Sequence, residues 1–182
     1  MSNLSDQLKN ALSSVISGTG DVVATTRDVA KENAIGVLHA GGDMAMATGD
    51  LVTDGVKVVS EVGVSVTEGV VGLVTGVIEG AKEVGADLGG ITLSATHGAI
   101  KGASEVGADL GETAVSAVDG SIKAADAVGA DVGELAKHAV MGALKASDEI
   151  GSEAGDLVRK ALLNAAALPH DVIDALLTGK TD

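Results

Sequence analysis

The chain has 182 residues and contains no Phe, Tyr, Trp or Cys, so any core is aliphatic and small, and neither disulfides nor thiolate metal sites are available. An apolar content of 46% and a mean hydropathy of +0.36 are too high for a disordered acidic tail. A formal charge of −14 weighs against a sequence-independent grip on nucleic acid and repels anionic lipid headgroups.

Residues 1–18 read as an N-terminal capping helix. Ser2 or Ser5 can start it, Leu4, Leu8, Leu12 and Val15 share one face, and Gly18 to Gly20 forms a hinge. MSNLSDQLKN has no basic region followed by an apolar stretch, so a cytoplasmic protein without a secretory signal is expected.

Residues 19–163 carry a 22-residue repeat without insertion or deletion. Its clearest copies start at Gly76 (GVIEGAKEVGADLGGITLSATH), Gly98, Gly120 and Gly142. One column of the repeat holds Asp21, Asp43, Ser65, Asp87, Asp109, Asp131 and Glu153, and a second holds Lys57, Glu79, Lys101, Lys123 and Lys145. Twenty-two residues make six turns at about 3.67 residues per turn, the period of a hendecad helix. The expected fold is therefore all-α. Long amphipathic helices would form an extended hairpin or bundle that oligomerises, with an α-solenoid of short helices as the alternative. The lack of slippage favours continuity, because one residue gained or lost would rotate a continuous helix by about 100°. Gly41-Gly42 and Gly89-Gly90 are the candidate hairpin corners.

Along the repeat, Lys101, Glu105, Asp109, Glu112, Ser116, Asp119 and Lys123 form a polar strip. Ile100, Ala103, Val106, Leu110, Ala114, Ala117, Val118 and Ile122 form the dry one. Glycine is periodic too. Gly85, Gly107, Gly129 and Gly151, with Gly89, Gly111, Gly133 and Gly155 four residues on, give a small-xxx-small spacing that suits close helix packing beside Val84, Val106, Leu110, Val128 and Ile150. Gly76, Gly98, Gly120 and Gly142 form a second small strip, implying two packing neighbours.

Residues 164–182 form a C-terminal cap. Pro169, the only proline, ends the last repeat helix, and Asp171 to Leu177 forms a short amphipathic piece. No stretch reaches the roughly 18 apolar residues of a membrane-spanning helix.

Carboxylate pairs such as Glu83 with Asp87 and Glu105 with Asp109 belong to the repeating polar strip and read as a solvated face. His39, His97, His138 and His170 share no repeat position, and no metal-binding, nucleophile-elbow or phosphate-loop motif is present. No catalytic, cofactor or metal site is expected, and basic or aromatic groups for nucleic acid are lacking.

In period and texture the repeats resemble those of apolipoproteins, synucleins, lipid-droplet coat proteins and late-embryogenesis proteins, and VVSEVGVSVTEGVVGLVTGVIEGAKEVG has the Val, Gly, Thr and Glu texture of synuclein repeats. The lysine pairs of synucleins and the punctuating prolines of apolipoproteins are missing. The resemblance implies an amphipathic surface helix and assigns no residue a role.

Two functions from different classes are expected. The first is a non-enzymatic structural protein that self-assembles through its Gly, Ala and Val faces into a bundle, tube or filament. A continuous helix over 19–163 would be about 215 Å long and could not bury its dry strip without folding back or finding partners. The alternative is a coat on a lipid, membrane or polymer-granule surface, opposed by the lack of Trp and Phe anchors. An ice-binding or stress-protective role ranks below both, because the threonines form no regular column.

Overall fold

A computed structural model describes residues 4–165 with 168 and 169. Ser2, His170 and the piece anticipated over Asp171 to Leu177 lie outside them. The described residues are all-helical: α1 (Leu4–Ser14), a kinked π-type turn (Val15–Thr19), α2 (Val22–Ala40), α3 (Met44–Val62), α4 (Val66–Glu83), α5 (Leu88–Val106), α6 (Leu110–Val128), α7 (Val132–Ile150) and α8 (Ser152–Asn164).

The continuous hendecad helix is thereby corrected. One repeat is one helix and one turn, with α5 and α6 each 19 residues long. The physical cause is a Gly-Ala-Asp junction that stops one helix and starts the next. Gly85, Gly107 and Gly129 sit at φ of 71°, 71° and 70°, a left-handed conformation that a side chain resists. The Ala86 N–H donates to the Ala81 carbonyl at 2.9 Å, Ala108 to Ala103 at 2.9 Å and Ala130 to Ala125 at 2.8 Å, each closing a Schellman motif. At two of these junctions the aspartate side chain then caps the following helix: Asp109 accepts from the Glu112 N–H and Asp131 from the Glu134 N–H, both at 2.8 Å, whereas Asp87 holds the same position without a side-chain cap bond.

Of the two expected corners, Gly41-Gly42 does break the chain, with φ of 83° and 96°. Gly89-Gly90 lies inside the first turn of α5, and the break there is at Gly85 to Asp87.

Each helix contacts the next and, more extensively through the middle of the array, the next but one, so that α2–α4–α6–α8 and α1–α3–α5–α7 make two rows. Consecutive helices run antiparallel: Gly55 meets Leu73 while Gly69 meets Val59, one number rising as the other falls. Within a row the helices run parallel. Gly76 faces Arg27, Gly98 faces Gly49, Gly120 faces Val71 and Gly142 faces Leu93, always 49 residues apart. That is two repeats plus five residues. Because α4 and α5 each share this register with two other helices, one residue gained or lost there would misplace all of those contacts. Stacking therefore forbids slippage as firmly as continuity would.

Folding back buries the dry strip within a single chain. Ile100, Ala103, Ala114, Ala117 and Val118 are fully buried. A single chain therefore buries its dry strip without the partners that a continuous helix of about 215 Å would need.

Candidate functional site

Because each repeat column has a fixed place in the stack, a column's role can be read in several helices at once. Gly85, Gly107 and Gly129, expected to pack helices, are helix terminators with open space where a side chain would project. Gly151 also has open space and joins α7 to α8 with φ of 158°. Of their partners, Gly89 makes room for the His138 ring and Gly111 for Ala161, whereas Gly133 meets only its own capping Asp131 and Gly155 lies against Asp148 and Arg159. Val84, Val106, Leu110 and Val128 are half-buried beside the turns, and Ile150 is exposed at the end of α7.

Close approach belongs to the second small strip. A methyl on Gly120 would sit 2.9 Å from the Val71 carbonyl oxygen, and one on Gly102 would sit 2.9 Å from that of Thr53. Gly76, Gly98 and Gly142 abut the backbones of Arg27, Gly49 and Leu93 more tightly still. Threonine hydroxyls use the same proximity. Thr53 donates to the Gly98 carbonyl at 3.0 Å and Thr75 to the Gly120 carbonyl at 3.1 Å, tying each helix to the next but one. Sequence reading had no access to these hydroxyl bridges, because only two repeats use threonine at that position.

On the outer faces the charges form ladders between the same helix pairs. Lys9 pairs with Glu61 at 3.0 Å and His97 with Glu149 at 2.8 Å, while Lys31 pairs with Glu83 and Lys57 with Glu105. Hydrogen bonding from Lys57 holds the Glu105 carboxyl below its ordinary range, and Glu105 in turn raises Lys57. Glu83 likewise raises Lys31, and Asp148 raises Arg159. These pairs are exposed, so each contributes little to stability.

Between α3, α5 and α7 runs an open groove of about 450 Å³ bordered by Met46, Asp50, His97, Lys101 and Lys145. Its charges are of both signs and spread along the walls. Among the described residues no group of three or more His, Asp or Glu is placed to hold a metal ion. No described helix is long and apolar enough to cross a membrane.

The arrangement repeats positions for stopping, capping and packing. Among the described residues α7 and α8 have no helix two places further on. No protein-family model matches the chain, and no curated protein matches it in sequence.

Proposed function

We propose that this chain is a non-enzymatic structural protein, a stack of short helices that self-associates as a folded unit. The observation that carries the reading is the use made of the repeat. Its terminating glycine, capping aspartate and close-contact glycine are each spent on building the stack, in helix after helix. Repeats of this type give a quasi-one-dimensional scaffold whose free surfaces are its outer faces and its two ends. Association would therefore proceed through those surfaces, since the Gly and Ala faces are occupied within the chain.

The coat reading requires the stack to unroll, exposing Ile100, Val118 and Val140, which are fully buried. Unrolling would forfeit roughly 1.5–3 kcal/mol of burial for each such side chain unless a lipid or polymer surface replaced it.

Light scattering and circular dichroism on one sample in plain buffer separate the two. A strongly helical oligomer supports the proposal. A poorly helical monomer that gains helicity on neutral vesicles supports the coat and overturns it.

A further inference from the structure

We infer that the junction between α4 and α5 is a hinge that straightens, so that two copies of this chain exchange α5–α8 and form a two-fold dimer. The inference goes beyond the association of folded units proposed above, because it exchanges helices and joins no outer faces.

The repeat length carries it. Consecutive helices run antiparallel in alternate rows, so each is related to the next by a half-turn about the axis of the stack. A stack of helices and turns works with any fixed repeat length. Undoing one half-turn is more demanding: α5 continues α4 with its faces pointing the same way only if one repeat, turn included, is a whole number of helical turns. Twenty-two residues are six turns at about 3.67 residues per turn. The turn residues fit a helix as well. Alanine, at position 86, is the best helix former, and Asp87 falls on the polar strip. Gly85 has open space where a side chain would project, and it is the one glycine that straightening adds, since Gly89 and Gly90 already lie in α5.

This junction is also the least secured of the three Gly-Ala-Asp turns. Asp109 and Asp131 each accept a backbone N–H at 2.8 Å, whereas Asp87 makes no side-chain cap bond. The hinge leaves α1–α4 on one side and α5–α8 on the other, and within each half the helices keep their neighbours in both rows.

The occupant follows from what straightening uncovers. On α3, Gly49 loses its facing Gly98 and the Thr53 hydroxyl loses the Gly98 carbonyl. On α4, Val71 loses Gly120 and the Thr75 hydroxyl loses the Gly120 carbonyl. A helix pair that refills both places must bring two glycines in this register, and α5 and α6 of a second copy bring them. With the straightened segments side by side and antiparallel, α4 of each copy faces α5 of the other as it does within one chain. The exchange is reciprocal, so the dimer closes with these contacts remade.

The test is a distance within one chain. There is no cysteine, so E68C and S104C place a single pair of spin labels. Glu68 and Ser104 are exposed, and the register of Gly55 with Leu73, moved one repeat on, sets them side by side in the closed hairpin, with about 10 Å between helix axes. In a straightened segment they are about 54 Å apart. Labelled chain is refolded with an excess of unlabelled parent, separated by size-exclusion chromatography with light scattering, and read by pulsed electron spin resonance. The monomer should give the short distance and the dimer the long one. Gly85→Ala strains the left-handed turn at φ 71° and should raise the dimerisation constant about tenfold or more, whereas Gly36→Ala, a like change in open space within α2, should leave it unchanged. A dimer with the short distance overturns the exchange while leaving self-association intact. Monomers alone, for the parent and Gly85→Ala both, overturn both readings, and a larger assembly overturns the two-fold pairing. Should Gly85→Ala lose helicity, Asp87→Ala favours the continuous helix without a methyl in the left-handed turn and gives the same reading.

Discussion

Gly120 of α6 rests on Val71 of α4 so closely that a methyl group would lie 2.9 Å from the Val71 carbonyl oxygen and 3.2 Å from its α-carbon. The same contact recurs along both rows, so glycine here sets the distance between helices. Its role at other columns differs, and the sign of a substitution should follow.

Gly120→Ala gains helix propensity but forces backbone apart, and we expect a net loss of about 1–3 kcal/mol. Gly107→Ala places a methyl in a left-handed residue at φ 71°, at a cost of about 1 kcal/mol. Gly36→Ala, inside α2 with nothing within 4 Å, should raise stability by about 0.5–1 kcal/mol. Urea denaturation of the three variants checks the order. An equal response from all three would refute distinct roles for these columns.

The all-helical class and the existence of periodic glycine columns were legible because both are matters of spacing. The break between repeats was not, although its signal was present. Gly-Ala-Asp at residues 85–87, 107–109 and 129–131 combines a left-handed terminator with a capping acid, yet Asp109 also falls on the polar strip that a continuous helix would display. Periodicity near 3.67 cannot separate the two, since a 19-residue helix and a three-residue turn add to the same 22. Which glycine column touches a neighbour was hidden for a related reason: contact depends on the 49-residue stagger between parallel helices, a tertiary quantity.

Thr92 is fully buried, and its hydroxyl has no hydrogen-bond partner, whereas Thr53 donates to Gly49 and Gly98. An unmade buried bond costs more than a made one returns. Thr92→Val should therefore leave stability unchanged or raise it by up to about 1 kcal/mol, and Thr53→Val should lower it by about 1 kcal/mol. Thermal unfolding followed by circular dichroism gives both values, and the reverse order would contradict the hydroxyl bridge.

Lys57 and Glu105 give the outer ladder a defined pH response. The carboxyl of Glu105 is lowered in the folded chain, so its contribution is present above its unfolded value and is lost as pH falls through the folded one. Lys57 is raised, so its contribution is present below its unfolded value and is lost as pH rises through the folded one. The difference in melting temperature between the parent and Lys57→Met should be level from about pH 5 to about pH 9 and shrink on both sides. It should also shrink in 1 M salt, as for any exposed pair. A difference that grows in acid would show that Lys57 acts through packing of its methylenes.

Deletions separate a stack from a continuous helix most sharply. Removing Leu88 to Asp131, 44 residues in all, joins the cap Asp87 directly to α7 and keeps the alternation of rows. Gly142 then occupies the place of Gly98, with Thr53 positioned to donate to its carbonyl, so a shorter chain should unfold cooperatively with its helicity per residue retained. Removing the 11 residues Leu110 to Gly120 preserves the face of a hendecad helix but leaves α6 with eight residues and no close-contact glycine. Helices of that length are marginal without packing, so this variant should melt broadly and lose helicity around the gap. Circular dichroism melts of the two proteins decide the matter: equal tolerance would mean that the hendecad period alone determines the fold, and the helix-and-turn register would have to be abandoned.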